Sequence, residues 1–289
     1  MKPPPFDYTA PGRVADVLAL LADEEREAKV IAGGQSLIPM LNMRLARPEV
    51  LVDITRIPEL SRSHVDADGA LHLGAAVRQA AAAADPVVRK GWPLLAAAIR
   101  HIGHPQIRNR GTVCGSLAHH DPAAELPSAA LALDARFEIA GPGGTRTVAA
   151  EDFFVSTFQT ALEADELLTE VVFPPQAGPG WAFEELTRRH GDFATVGVAV
   201  LLGRSAADGT VERARVVFCG AGPVPVRCTA AEDALTGTDG GEQAQAAAAE
   251  AVLAGLNPPS DVHAGARYRR EAAAVLLTRA CTAALERRR

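Results

Sequence analysis

The chain has 289 residues, of which 48% are hydrophobic but only 4% aromatic, and its formal net charge is −6. This is enough apolar material for a full core and for two domains, and the acidic balance excludes nucleic acid as a partner, since phosphate backbones require a concentrated basic surface. No stretch reaches the roughly twenty uncharged residues of a membrane span, and residues 1–5 (MKPPP) lack an apolar signal core, so the expected location is the cytoplasm.

In chain order, residues 14–21 (VADVLALL) have helical periodicity, 29–32 (KVIA) read as a short strand, 37–45 as a short helix broken early by Pro39, and 50–53 (VLVD) as a second strand. Residues 71–74 form a strand entering an alanine-rich helix at 77–84, and 94–101 (LLAAAIRH) form a further helix. The segment 102–111 (IGHPQIRNRG) reads as irregular because glycine and proline interrupt it. Residues 122–133 are predicted helical, with Pro122 in the first turn and Asp121 as the cap. A hairpin follows, with strands at 136–140 and 145–148 about the turn GPGG, and then a strand at 167–173 (LLTEVVF).

Residues 174–180 (PPQAGPG) are the best linker in the chain. They place the domain boundary, with a first domain over 1–175, divided into subdomains of about 1–55 and 56–175, and a second over 176–289. The second is predicted to hold three strands, at 182–188, 196–202 and 214–219, and helices at 229–235, 241–253 and 266–285, an α+β arrangement. Arg287, Arg288 and Arg289 read as a frayed, solvated tail. The four cysteines, Cys114, Cys219, Cys228 and Cys281, are scattered without a Cys-x-x-Cys pair, which argues for reduced, buried thiols and against a zinc or iron–sulfur site held by this chain.

The most informative feature is a pair of small-residue segments about eighty residues apart, Ala32-Gly33-Gly34-Gln35-Ser36 and Thr112-Val113-Cys114-Gly115-Ser116. Each follows an apolar run and ends in a hydroxyl. Phosphate oxygens reach backbone N–H groups only where no Cβ shields them, so two such loops converging would clasp a pyrophosphate. The first lies between a strand and a helix, with Ser36 at the helix N-cap and the positive end of the helix dipole toward the same anion. There is no G-x-G-x-x-G after the first strand and no phosphate-loop G-K-S, so a Rossmann or phosphate-loop fold is not indicated. His119, His120, Asp121 and Glu125 cluster within seven positions, yet adjacent histidines diverge and an Asp before Pro is a common helix cap, so no metal is expected.

Three longer stretches, AGGQSLIPMLNMRLARPEVLVDI, IGHPQIRNRGTVCGSLAHHDPAAELP and ELTRRHGDFATVG, occur in this order across nearly the whole chain. Together they resemble the FAD-binding medium subunits of molybdenum hydroxylases, the group that includes aerobic carbon monoxide dehydrogenase and the flavin part of xanthine dehydrogenase. The resemblance implies a vanillyl-alcohol-oxidase-type FAD-binding module of two α/β subdomains and a smaller C-terminal α/β domain. It implies that residues 32–36 and 112–116 hold the FAD pyrophosphate, with Ile31, Leu37 and Ile38 extending the first contact. Ile102 and Gly103 would line the flavin or adenine cleft, Glu125 would lie near the ribityl chain, and Leu167 or Leu168 would pack on the cofactor. Phe193 matches the aromatic that lies against the isoalloxazine, with Asp192 and Thr195 bordering that opening. The histidine cluster would then meet the flavin's polar edge or its ribityl hydroxyls.

One departure from the family pattern is visible. The second loop usually reads Thr-x-Gly-Gly-Ser or -Asn, and Cys114 replaces the first of its glycines; if that position needs φ > 0, the cysteine is strained by about 1 kcal/mol or more. A reactive thiol there is an alternative to a small residue tolerated in the loop.

By the same resemblance, electrons reach the FAD from two 2Fe–2S clusters of a small subunit, after substrate oxidation at a molybdenum cofactor in a large subunit, and leave for quinone, NAD or another acceptor. A dimer of heterotrimers is expected, at most peripheral to the inner face of the membrane. Two rival readings are a stand-alone flavin oxidoreductase, which needs its own base (His101, His104 or His190), and an assembly subunit that has lost FAD, against which the intact segments speak.

Overall fold

Alternation of short apolar strands with amphipathic helices opens the chain: β1 (Asp7–Thr9), α1 (Val14–Leu21), β2 (Ala28–Ile31), α2 (Leu37–Asn42) and β3 (Val50–Asp53). The three strands pair in parallel in the order β1-β3-β2, and the helices supply the crossovers that parallel pairing demands. The central β3 is buried at Val50, Leu51 and Val52, as a covered parallel strand requires. Pro39 does not break α2 early, as predicted; it occupies the first turn, where no backbone N–H is needed, and the helix runs on to Asn42. The computed structural model describes residues 2–176 and 180–287; Met1, linker residues Ala177, Gly178 and Pro179, Arg288 and Arg289 lie outside the described residues.

A second layer follows, with β4 (Ser63–Val65), β5 (Leu71–Gly74), α3 (Gln79–Ala84), α4 (Pro86–Gly91), α5 (Pro93–His101), α6 (Pro105–Arg110), α7 (Val113–His119) and α8 (Glu125–Ala132). It continues through β6 (Arg136–Gly141), β7 (Gly144–Ala149), α9 (Ala150–Phe153), β8 (Phe154–Ser156), β9 (Gln159–Thr160) and β10 (Leu167–Phe173). Strands β4-β5-β10-β6-β7 form an antiparallel sheet in that order, and its core holds Phe137 stacked on Phe153 at 3.8 Å between ring centroids.

Three expectations fail here for one reason, the placement of proline and polar caps. Segment 102–111 is not irregular throughout: Pro105 sits at the first position of α6, where its missing N–H costs nothing. The second small-residue segment is not a loop but the first turn of α7, capped by Thr112. The helix expected from Pro122 begins at Glu125, because Asp121 accepts from the Ala123 and Ala124 N–H groups and holds a separate turn.

The last unit is an antiparallel sheet of β11 (Gly180–Leu186), β12 (Val196–Arg204), β13 (Val211–Cys219) and a two-residue β14 (Val226–Arg227), so a short fourth strand joins the three predicted. Helices α10 (Thr229–Leu235), α11 (Glu242–Gly255) and α12 (Ala266–Glu286) follow. Alternation along the strands splits the sheet: Val196, Val198, Val200 and Val216 pack with α10 to α12, while Phe183, Ala199, Val217 and Cys219 join the core of the preceding layer. The architecture is α+β, as expected. Arg287 is not a frayed tail; its guanidinium lies 3.7 Å over the Trp181 ring and donates to the Trp181 carbonyl.

On the antiparallel sheet His72 bridges two carboxylates, Nδ1 to Glu170 at 2.5 Å and Nε2 to Asp66 at 3.0 Å. Burial pulls its pKa down, but the Glu170 and Asp66 hydrogen bonds and charges outweigh burial and leave it raised. A raised histidine stabilises the fold fully below its unfolded pKa, and the contribution is lost as pH rises through the folded one. His72→Gln should therefore lower the thermal unfolding midpoint more at about pH 6 than at about pH 9, and a gap that fails to narrow with rising pH would show that the bridge contributes nothing.

Candidate cofactor site

Gly33 sets the geometry of the site. Its backbone lies so close to the junction of α6 and α7 that a Cβ would stand 2.4 Å from the Arg110 carbonyl oxygen and 2.6 Å from Gly111 Cα. A Cβ on Gly115 would stand 3.9 Å from that of Ala32. The two small-residue segments thus converge. Gly34 has φ +71°, a conformation that glycine adopts without penalty. Gln35 Nε2 donates to the Gly33 carbonyl and the Ile38 N–H to the Gly34 carbonyl, both at 3.1 Å. These bonds brace the turn without using its donors: among the described residues, no protein acceptor meets the N–H groups of residues 33–37. Ser36 stands at the N-cap position of α2, but with φ −100° and ψ −46° its hydroxyl makes no capping bond.

Three of the second segment's five backbone N–H groups are met by protein acceptors. Thr112 Oγ1 accepts from the Gly115 N–H at 2.9 Å, the Thr112 carbonyl from Ser116 at 3.2 Å, and the Val113 N–H goes to the Val77 carbonyl at 3.1 Å. The Cys114 N–H remains open among the described residues. Cys114 has no positive φ, so the expected strain is absent. Its thiol faces the core, 3.4 Å from the Leu73 carbonyl, and burial pushes its pKa well up. The reactive-thiol reading is thereby overturned, since the nucleophile would be the thiolate.

Between the segments opens a cleft of about 910 Å³. Ile31, Ala32, Gly33, Gly34, Gln35, Ser36 and Leu37 line it, with Thr112, Cys114, Gly115 and Ser116, and with Ile102, Gly103, Glu125, Leu167, Leu168, Asp192 and Phe193. Ile38 does not; it supports the underside of the turn, with Cγ1 3.2 Å from where a Gly34 Cβ would be. Thr195 is buried beside the cleft rather than bordering it, and its carbonyl accepts from Arg269. The lining also includes Lys29, Arg47, His119, Asp121 and Phe158. Lys29 and Arg47 do not stand out in sequence from the charges around them, and Phe158, at φ +56° with its N–H donated to the His120 carbonyl, carries no local signal either.

Glu125 is 4% exposed, and burial, aided by the charges of Glu185 and Asp121 and opposed by Arg108, pushes its pKa up to about 8. At neutral pH it is a hydrogen-bond donor as well as an acceptor. Burial lowers the pKa of His119 and keeps its ring neutral. His120 turns away, toward the Gln159 carbonyl at 3.1 Å, so the adjacent histidines diverge; among the described residues no cluster of three His, Cys, Asp or Glu side chains could hold a metal. The turn joining β11 to β12 brings Asp192 and Phe193 to the cleft. It lies over α6, since a Cβ on Gly191 (φ +88°) would stand 2.5 Å from His104 Cε1. Phe193 is 62% exposed there.

Residues 4–176 match the FAD binding domain in molybdopterin dehydrogenase, and residues 181–284 the CO dehydrogenase flavoprotein C-terminal domain. The chain belongs to the FAD-binding medium subunits of the molybdenum hydroxylases. It is 42% identical to the 6-hydroxypseudooxynicotine dehydrogenase complex subunit alpha of Paenarthrobacter nicotinovorans, over 100% of this chain and 97% of the relative. It is 39% identical to the carbon monoxide dehydrogenase medium chain of Hydrogenophaga pseudoflava, over 99% of each. The solved structure of quinoline 2-oxidoreductase from Pseudomonas putida 86 matches it with a TM-score of 0.94 and 38% identity, covering 99% of both chains. These relatives of the medium subunit belong to oxidoreductases, and FAD is the cofactor of the matched domain. No helix among the described residues is long and apolar enough to cross a membrane.

The Gly33 contact is with backbone, which cannot step aside, whereas Gly34 faces only the side chains of Ile31 and Ile38. Without added FAD, Gly33→Ala should cost about 2 kcal/mol in urea unfolding and Gly34→Ala about 1 kcal/mol, the latter from the left-handed backbone alone. A Gly33→Ala protein as stable as the parent would contradict the contact.

Proposed function

We propose that the cleft holds FAD with its pyrophosphate on the N–H groups of residues 33–37 and of Cys114, and that the chain takes electrons from 2Fe–2S clusters of a small partner subunit and delivers them to an external acceptor, a quinone, NAD or another. The row of open donors at a crossing too tight for a side chain carries this reading, because unpaired backbone N–H groups facing a cleft favour an anionic ligand. The lining suits the rest of the molecule. Lys29 and Arg47 offset negative charge, Ile102, Leu167 and Leu168 offer apolar surface to a ring, and the protonated Glu125 can donate to a ribityl hydroxyl.

Bound FAD supplies the capacity to accept electrons singly and release them in pairs. The protein's own residues hold the diphosphate by backbone, and Asp192 and Phe193 border the opening to the acceptor. The complete assembly in this reading adds a large molybdenum-cofactor subunit and pairs two heterotrimers, with residues 1–175 carrying FAD and 176–289 covering it. A quinone acceptor would draw the complex to the inner face of the membrane. The stand-alone oxidoreductase is disfavoured: none of His101, His104 and His190 lines the cleft, and His101 is tied to Glu185 at 3.1 Å.

The purified, desalted chain should show a flavin absorption spectrum, directly or after incubation with FAD, and release FAD rather than FMN on denaturation. Gly34→Val, which shields the open donors and strains the turn, should weaken FAD binding by about tenfold or more; unaltered flavin content in the folded variant would overturn the assignment of the first segment. Co-purification with large and small subunits from the native source tests the assembly.

A further inference from the structure

Two basic segments meet at the rim of the cleft. Residues 100–111 hold three arginines, two histidines and no acid, and residues 187–193, in the turn joining β11 to β12, hold two arginines and a histidine against the single acid Asp192. This is a local excess of positive charge in a chain whose formal net charge is −6. The turn rests on the start of α6: beside the close approach of Gly191 to His104, the His190 and His104 rings lie 6.1 Å apart between centroids. Ile102, Gly103 and Ile107 from one segment and Gly191, Asp192 and Phe193 from the other line the cleft, so the charge is gathered where the cleft opens. Arg188, Arg189 and His190 are exposed, and the guanidinium groups of Arg188 and Arg189 make no hydrogen bond or ion pair among the described residues. Phe193, 62% exposed, and Ile107, 36% exposed, add apolar surface to the same rim. Exposed aromatic and arginine side chains together are the composition of a protein interface.

We infer that the turn at residues 187–193 and the adjoining start of α6 form a docking face for an acidic electron-carrier protein, which is the external acceptor of this subunit. The inference rests on the reading that FAD occupies the cleft and passes electrons outward. Unpaired arginines on an exposed turn attract a carboxylate-rich surface from a distance and then hold single carboxylates by two parallel N–H donors. Phe193 and Ile107 supply the apolar centre from which water is excluded, and the arginines supply the charged rim that fixes orientation. Each docked carrier takes one electron from the reduced cofactor, a ferric haem becoming ferrous, and two successive dockings return the cofactor to its oxidised form with its protons released to water. Other acceptors fit the face less well. An uncharged quinone has no use for the arginines. A bilayer needs an amphipathic stretch with more apolar surface than one ring and one isoleucine on a turn and a six-residue helix.

The test uses the full chain. Titration with FAD comes first and decides the cleft reading by itself; docking is then measured by calorimetry with and without FAD, so that the two readings fail separately. The probes are two acidic carriers, cytochrome b5 and flavodoxin. Both should bind the parent, with affinity falling about tenfold or more as salt is raised from about 20 mM to about 500 mM. The double variant Arg188→Glu, Arg189→Glu changes only exposed side chains and should lose about tenfold or more in affinity at low salt. Cytochrome b5 reduction by the FAD-loaded, dithionite-reduced chain should slow equally, while reduction of the uncharged quinone menadione stays within about twofold of the parent. Failure of the parent to bind either carrier overturns the proposal, as does binding that the double variant retains. Equal slowing with menadione would show that the arginines act on the cofactor rather than on a docked protein. Charge-dependent binding to vesicles of phosphatidylglycerol, or charge-dependent reduction of NAD, with no effect on the carriers would assign the face to a membrane or a dinucleotide and overturn it too.

Discussion

The site depends on one contact between two backbones. Gly33, at the end of the first parallel strand pair, rests directly on Arg110 and Gly111 at the entrance to α7. The second segment is held from behind: Arg78 donates to the Arg110 carbonyl, the Gln79 N–H to the Gly111 carbonyl at 2.9 Å, and Gln79 Nε2 to the Thr112 carbonyl at 3.3 Å. Neither side can retreat to admit a methyl group. The open donors of residues 33–37 and the Cys114 N–H therefore sit on one surface because the covalent chain and a few buried hydrogen bonds leave them no other place.

That surface has an electrostatic counterpart. A row of donors with Lys29 and Arg47 favours an anion, and an ionised Glu125 in the same cleft would oppose it. Burial settles the conflict by holding Glu125 protonated near neutrality. The C-terminal sheet produces this environment. It carries Glu185, whose charge adds to burial in raising the Glu125 pKa, and its first two strands are joined by the turn that brings Asp192 and Phe193 to the cleft. The second unit thus adds to the proton affinity of Glu125 as well as shaping the opening of the cleft, and Arg269, bonded to the Thr195 and Gly220 carbonyls and to Asp261 at 2.6 Å, fixes where that turn ends.

Much of this was legible in the chain. Helix α1 and strands β3 and β10 follow from uninterrupted periodicity or apolar runs with clear turn residues at their ends. The two small-residue segments identified the cleft because a requirement for missing side chains is visible as composition. Less visible was what each donor does. Thr112 reads equally as a ligand or a cap, and only its bond to the Gly115 N–H decides. Cys114 looked like a defect in a glycine loop until the segment proved to be a helix, where a cysteine is at ease. Glu185, Phe158 and Arg287 gain their neighbours from residues distant in sequence, and no local pattern encodes them.

A clasp made of N–H groups constrains a sequence in an unusual way, by where side chains must be absent rather than by which must be present. Gly33, Gly34 and Gly115 meet that constraint, and Cys114 shows its limit: once a position is helical and its side chain turns to the core, a larger residue is admitted with no change at the cleft. Relatives named for carbon monoxide, for quinoline and for an oxynicotine share the fold along almost its full length. On the proposed function, a backbone cradle, a buried acid and an exposed aromatic edge suit all of these relatives alike, because in that reading none of these parts touches the molecule being oxidised.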